Sequence, residues 1–209
     1  MTDYTARYQQ AAEHLARHDP HLAPVIAKVG RCTIEPHTNY YQALVMSIIG
    51  QQLSVKAAAT IKQRFTALFE GTIPTPEQIV ATDVEQLRSV GLSGQKAKYV
   101  RDLAEHALDG RIRFDDIESL SNDEIIARLT DVKGIGEWTV HMFLMFAMGR
   151  TDVLAHGDLG VRNGIRRLYE LEHTPSPDDI RDLAATYDWH PYESVACWYM
   201  WQFLDNEPK

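Results

Sequence analysis

The sequence predicts an all-α fold, and three observations carry that expectation. Apolar residues recur at helical spacing in nearly every segment, capping residues stand just ahead of those segments, and only Arg31–Glu35 offers a short candidate strand. Residues 4–18 read as an exposed helix, and Leu22–Val29 as a second, short helix after Asp19-Pro20, stopped by Gly30. Tyr41, Leu44, Val45, Ile48 and Ile49 share one helical face, so 40–49 is expected to be a core helix. Gly50-Gln51-Gln52-Leu53 interrupts it. Ser54 can then cap a helix whose apolar face is Val55, Ala58, Ile61, Phe65 and Leu68. Thr75-Pro76-Glu77-Gln78 combines a cap, a proline at the first helical position and a glutamine three residues after the cap. Asp83 caps a short helix ending by Gly91, and Ser93 a longer one ended by Gly110. Ser121-Asn122-Asp123-Glu124 is a capping box ahead of a helix that buries Ile125, Ile126 and Leu129. Glu137–Met148 is a very apolar helix, Leu159–Tyr169 follows Asp158, Ser176-Pro177 starts the next, and Pro191 starts the last, Tyr192–Leu204. No linker, low-complexity tract or internal repeat interrupts this pattern.

The stretch most suggestive of chemistry is Leu129–Leu168. Val132-Lys133-Gly134-Ile135-Gly136 joins two helical patterns, which makes a helix-hairpin-helix. Its glycines allow positive φ and leave no side chain between the backbone and a ligand. The helix that follows begins with unpaired N–H groups and a positive dipole end, a geometry suited to phosphate. Lys133 would add a mobile positive charge beside it. Asp158 stands alone at a helix start, where most aspartates only cap. The dipole and N–H groups there favour the anion, and an ionised carboxylate suits stabilising an oxocarbenium-like sugar cation.

Composition narrows the options. The 209 residues allow one large domain or two lobes sharing a core. No run is long and apolar enough to span a bilayer, and the N-terminus lacks the apolar centre of a secretory signal. Intracellular, cytoplasmic residence is therefore expected. The two cysteines, Cys32 and Cys197, cannot build a four-thiolate site and should be buried thiols. The nine histidines include no HExxH motif, so no catalytic transition metal is expected. A net charge of −8 argues against DNA binding at first sight. Its distribution argues otherwise. Pro36–Phe69 has no acid but holds Lys56, Lys62 and Arg64, and Gln86–Arg101 has none but holds Arg88, Lys96, Lys98 and Arg101. An acidic shell around locally basic faces fits that pattern.

SIIGQQLSVKAAA (47–59), GLSGQKAKYVRDLA (91–104), KGIGEWTVHMFLMFAMGRTDVL (133–154) and GDLGVRNGI (157–165) together resemble the helix-hairpin-helix DNA glycosylases, specifically the 3-methyladenine DNA glycosylase II branch that removes alkylated bases. The likeness runs from about HLARHDPHLAPVIAKVG (14–30) to the tryptophan-rich end. It implies two helical lobes with the hairpin flanking the cleft between them. Lobe one would take approximately 1–39 plus 150–209, and lobe two approximately 40–149. It implies that Asp158 is catalytic and that damaged double-stranded DNA is bound by a monomer. Gln51-Gln52-Leu53 resembles an intercalating wedge with Gln52 or Leu53 at its tip, and Ser54 follows on the same DNA-facing stretch. A flanking phosphate would lie on the N–H groups of Gly134 and Gly136, with Lys133 and Thr139 as further contacts. Trp138 and Tyr192 would wall the base pocket, with Tyr40 and Tyr41 as further candidates, whereas Trp189, Trp198 and Trp201 read as core. Trp138 stands where lyase-type relatives carry a nucleophilic lysine, so no strand cleavage is expected, and with only two cysteines no iron–sulfur cluster is expected either. Family hairpins commonly hold a monovalent cation on backbone carbonyls, and the matching residues are Thr130, Val132 and Gly134.

Two departures bear on substrate range. Lys133 replaces a frequent proline, and Met142 stands where some members carry a pocket tyrosine; methionine is adaptable and less polar. The expected activity is hydrolytic release of 3-methyladenine and 7-methylguanine in base excision repair. The alternatives are a non-catalytic DNA-binding module built on the hairpin, and a glycosylase for deaminated or oxidised bases.

Overall fold

Cap chemistry sets most of the helix starts. Ser54, Thr75, Asp83, Ser93, Ser121, Asp158 and Ser176 each accept a hydrogen bond from a backbone N–H of the turn that follows. At Thr75, Asp83, Ser121 and Ser176 the bond is reciprocated by the side chain three residues on. A computed structural model of the chain describes residues 4–37 and 39–206. It is all-helical: α1 (Tyr4–His18), α2 (Leu22–Val29), α3 (Tyr40–Gly50), α4 (Val55–Leu68), α5 (Pro76–Ala81), α6 (Val84–Ser89), α7 (Gly94–Leu108), α8 (Asn122–Thr130), α9 (Glu137–Met142), α10 (Leu159–Leu168), α11 (Pro177–Thr186) and α12 (Glu193–Asp205). Among the described residues there is no strand; Arg31–Glu35 forms no sheet ladder, having no second extended segment to pair with. The apolar run after the hairpin is not one α-helix to Met148. It changes to a π-helix over Phe143–Ala147, and nothing in the local sequence explains the change. The last helix begins at Glu193 rather than directly after Pro191, because Tyr192 still has non-helical backbone angles.

The chain divides into two units, Met1–Pro36 with Leu144–Lys209, and His37–Phe143. In the first, α12 is the central element. Ser194 to Met200 are all buried, and α12 packs against α1, α2 and α10. Gly164 permits the approach of α10, since a Cβ there would lie 2.9 Å from the Cβ of Met200. Asp19, fully buried, receives the Trp189 indole N–H at 2.8 Å, the Tyr169 hydroxyl, and the backbone N–H groups of His21 and Leu22. Full satisfaction of this kind is what makes a buried carboxylate tolerable.

In the second unit α3 packs on α4 and α7, while α5 and α6 pack on α7 and α8 packs on α9. Tyr41, Leu44, Val45, Ile48 and Ile49 form the buried face of α3 as their spacing predicts. The face expected on α4 does not hold. Phe65 is its one fully buried side chain among the described residues; Val55 is 89% exposed and Leu68 also lies at the surface. Both sit at the helix ends, beyond the reach of the helices that cover Phe65. Each large side chain that is fully buried contributes about 1.5–3 kcal/mol, so α4 is held mainly from its middle.

Candidate active site

The hairpin is built around one glycine. Gly134 has φ +84°, and a Cβ there would lie 2.1 Å from the Tyr99 ring of α7. Only glycine supplies both the left-handed backbone and the close approach. Gly136 is different: its φ is −97°, a Cβ would meet nothing within 4 Å, and no side chain caps α9. Its use is to leave the start of α9 uncovered. Among the described residues neither the Gly134 nor the Gly136 N–H meets an acceptor. Two flanking apolar residues, Val132 and Ile135, are buried and hold the turn in place.

The wedge-like loop is tied to this hairpin. The Gln51 side-chain amide donates to the Gly134 carbonyl at 2.9 Å. Lys96 donates to the carbonyls of Ile49 and Gln51 at 2.8 and 2.6 Å, so its ammonium meets the negative end of α3. Partial burial lowers the pKa of that lysine. Gln52 projects from the loop with φ +55° and is exposed, while Leu53 beside it is half-buried. A cavity of about 750 Å³ opens between loop and hairpin, lined by Ser47, Gln52, Leu53, Gly134, Trp138 and Thr139 among others. Trp138 is 49% exposed there, a large fraction for a residue with so much apolar surface. Thr139 is only 5% exposed and lies in the cavity wall. Ser54 is exposed and caps α4, and Met142, one turn beyond Trp138, is half-buried.

Lys133, expected as a mobile charge, keeps a mostly exposed side chain but makes an ion pair. Its backbone N–H and its ammonium both reach Asp102, at 2.8 and 3.2 Å. Asp102 is 8% exposed. Burial pushes its pKa up, but the two Lys133 contacts and nearby His106 outweigh that and hold the carboxyl below its ordinary range. Tyr40 and Tyr41 do not join Trp138 in its cavity. Tyr40 donates to Glu118 at 2.6 Å and meets Phe143 edge-on. Tyr41 is buried against Phe114 and lines a separate depression with Ile73 and Pro76; burial raises its pKa.

Asp158 lies in the other unit, at the start of α10. Its Oδ1 accepts from the Val161 N–H at 2.8 Å and from the Trp201 indole N–H, also at 2.8 Å. Trp201 is therefore not simply core, as its sequence context suggested. It is half-buried, stacks near Phe146, and fixes the carboxylate from α12. Gly160 makes room for it, since a Cβ there would sit 2.7 Å from the indole nitrogen. Cys197, one turn earlier on α12, is fully buried. Burial pushes its thiol up to about 12, with Asp158 and Glu193 adding to the effect, so it stays protonated and inert. Cys32 is likewise a buried free thiol. Tyr192 is half-buried at the head of α12, its ring edge-on to His14 at 5.1 Å.

Sequence reasoning missed Trp201, Tyr99 and Asp102 as parts of these sites; it placed Gln51 in the wedge-like loop and Lys96 on a basic face without foreseeing the bonds they make. The one available signal was Gly160, two residues after Asp158, where a helix would otherwise favour a residue with a side chain.

A family model described as HhH-GPD superfamily base excision DNA repair protein matches residues 45–187. The alkylbase DNA glycosidase-like protein mag2 of Schizosaccharomyces pombe is 32% identical over 200 residues, covering 93% of each chain. DNA-3-methyladenine glycosylase 1 of the same yeast is 39% identical over 164 residues, 78% of this chain and 71% of that one. The crystal structure of DNA-3-methyladenine glycosidase from Bacillus halodurans superposes with a TM-score of 0.85 at 36% identity, over 94% of this chain and 91% of that one. The Schizosaccharomyces pombe 3-methyladenine DNA glycosylase, in complex with abasic DNA, superposes at 0.81 with 35% identity, over 92% and 95%. The chain belongs to the HhH-GPD superfamily of base excision DNA repair proteins.

Proposed function

We propose that the protein is a monofunctional DNA glycosylase that releases alkylated purines, 3-methyladenine and 7-methylguanine, from double-stranded DNA. The observation that carries this reading is Asp158: a carboxylate at a helix start whose Oδ1 is fixed by two donors from different elements. A helix cap needs one such bond; a second, from an indole that requires Gly160 beneath it, is the arrangement expected of a group held for chemistry. The names of the relatives support the substrate class, and the relative crystallised with abasic DNA supports the partner.

A stacked base hides its glycosidic bond, so the nucleotide must first be flipped out. Gln52, exposed at the loop tip, is suited to filling the gap, with Leu53 behind it. The Gly134 and Gly136 N–H groups are suited to a flanking phosphate, and Lys133, partly neutralised by Asp102, adds less than a lone lysine would. Thr139, recessed in the wall, serves the cavity rather than the phosphate. Trp138 offers an electron-rich face to a cationic base, worth about 0.5–2 kcal/mol; Tyr192 is the corresponding aromatic proposed from α12. Met142 borders that role, and Tyr40 and Tyr41, held elsewhere, do not share it.

The bond from the sugar C1′ to the purine nitrogen breaks with its electrons going to the base. Alkylation has already made that base positive, so it leaves neutral and needs no proton. Asp158 stabilises the positive sugar, water adds its oxygen to C1′, and the water proton passes to solvent. No amine stands at position 138 to form a Schiff base, which fits hydrolysis without strand cleavage. A monovalent cation could lie on the carbonyls of Thr130, Val132 and Gly134. Those of Val132 and Gly134 each accept one hydrogen bond and keep a second lone pair. Such an ion would add positive charge beside the phosphate.

The test is direct. Randomly methylated duplex DNA is incubated with the protein and the released bases are separated by chromatography. Free 3-methyladenine and 7-methylguanine are expected from the wild type and none from Asp158→Asn, while both proteins retain DNA binding. Binding without release by the wild type would leave only a hairpin DNA-binding module.

A further inference from the structure

The sequence HLARH places two histidines one helical turn apart on α1, and a third residue, Asp188, lies 174 positions after His14. Among the described residues, His14, His18 and Asp188 bring three potential metal-ligating atoms within 4.8 Å of one another. We propose that these residues form a binding site for a transition-metal dication of the zinc, nickel or copper class. It is separate from the proposed catalytic aspartate and independent of the reading of the reaction.

The geometry is close to what such an ion needs. Asp188 Oδ2 lies 3.5 Å from His14 Nε2 and 3.8 Å from His18 Nε2. Ligands about 2.1 Å from a tetrahedral ion are roughly 3.4 Å apart, so the two Asp188 edges need adjustments of a few tenths of an ångström, while the two histidine nitrogens, within 4.8 Å of each other, close the third edge by side-chain rotation. The tautomer of His18 is already set. Its Nδ1 lies 2.9 Å from the His14 carbonyl, so Nδ1 carries the proton and donates, and Nε2 presents a lone pair. A histidine that gives its other ring N–H to a carbonyl is the usual form of a metal-ligating histidine.

His14 must change partner. Its Nε2 lies 2.6 Å from the Asp188 carbonyl, to which it donates. With a metal bound, that proton moves to Nδ1 and the Nε2 lone pair turns to the ion, leaving the carbonyl beside it as a possible fourth oxygen ligand. Asp188 has φ +51°, which turns its carbonyl and carboxylate toward α1 together. All three residues are at least partly accessible, so an ion can enter from solvent. Two imidazoles and one carboxylate favour zinc, nickel or copper over magnesium or calcium.

An occupied site would fasten α1 to the connection between α11 and α12. Tyr192, edge-on to His14, belongs to that same connection.

The full chain, free of any affinity tag and stripped with chelator, is titrated with zinc chloride by calorimetry. Parallel samples receive copper(II) for electron paramagnetic resonance and magnesium as a control. One equivalent of zinc is expected to bind, with copper(II) showing coupling to two nitrogens and magnesium showing no binding. Zinc at 100-fold excess over its dissociation constant should raise the melting temperature by on the order of 5 °C. His18→Ala should weaken zinc at least tenfold, and Asp188→Asn should weaken it while leaving both copper nitrogens. Absence of saturable binding by the wild type would overturn the proposal. So would binding that survives intact in the His14→Ala, His18→Ala double variant, since the ion would then sit elsewhere.

Discussion

The hairpin half and the Asp158 half of this protein are built on opposite plans. In His37–Phe143 the groups suited to DNA belong to the backbone: two N–H groups in a turn that side chains only support. Tyr99 lies beneath Gly134, Gln51 ties the loop to its carbonyl, and Asp102 holds Lys133. In the other unit the group proposed for the chemistry is a side chain held by another side chain, Asp158 by Trp201, with the backbone adding one bond. A grip that must accept any sequence is well served by backbone. Chemistry at one atom needs an oriented functional group. Substitutions in the two halves should therefore fail differently.

The sharpest contrast comes from Asp158→Asn. Losing the charge that stabilises the sugar cation should cost about 1,000-fold in the rate of base release, and DNA affinity measured by fluorescence anisotropy should stay within a factor of three, roughly the scatter expected of a substitution that touches no phosphate contact. Gly134→Ala is the counterpart. A left-handed alanine costs about 1–2 kcal/mol and displacing the Tyr99 ring about as much again. Weakened DNA binding, on the order of 100-fold, should then accompany a lower melting temperature. An unchanged affinity would remove the hairpin backbone from the grip. Trp201→Phe keeps the ring and removes the donor. Loss of one bond to a charged acceptor predicts about a tenfold fall in single-turnover rate with unchanged DNA affinity. If affinity fell and the rate did not, Trp201 would belong to binding, and the contrast between the halves would blur.

Asp102→Asn has the smallest expected effect and tests the support of the hairpin. The folded carboxyl sits below its ordinary value of 3.8. Its contribution to stability is therefore fully present above that value and is lost as pH falls through the lower folded value. Wild type and Asp102→Asn should differ in stability by about 1.5 kcal/mol at neutral pH, a bond to a charged group, and converge in denaturant titrations as pH falls through the lowered folded value of this carboxyl. A gap that persisted in acid would mean that the carboxylate charge is not what supports Lys133.

Local signals were legible and distant partners were not. Ser54, Thr75, Ser93, Ser121 and Ser176 announce their helices because a cap bonds within four residues of itself. The turn at Gly134 was readable for the same reason. Val55 and Leu68 have the spacing of a buried face yet are exposed, because periodicity defines a face without saying how far a neighbour covers it. Trp201, among aromatics, read as core; its bond to Asp158 crosses 43 residues. HLARH contains a histidine pair one turn apart, but its third member lies beyond any local window.

Lys96 and Arg101 looked like part of a basic face, and both are turned inward. Lys96 closes the end of α3, and Arg101 donates to the Val80 carbonyl at 2.5 Å. Neither is placed to displace counterions from a duplex. Because each phosphate neutralised steepens the dependence of log affinity on log salt by about 0.9, omitting this pair makes that line shallower by roughly 1.8 than a tally of basic residues would give. Such a protein would lose less of its hold on DNA as ionic strength rises.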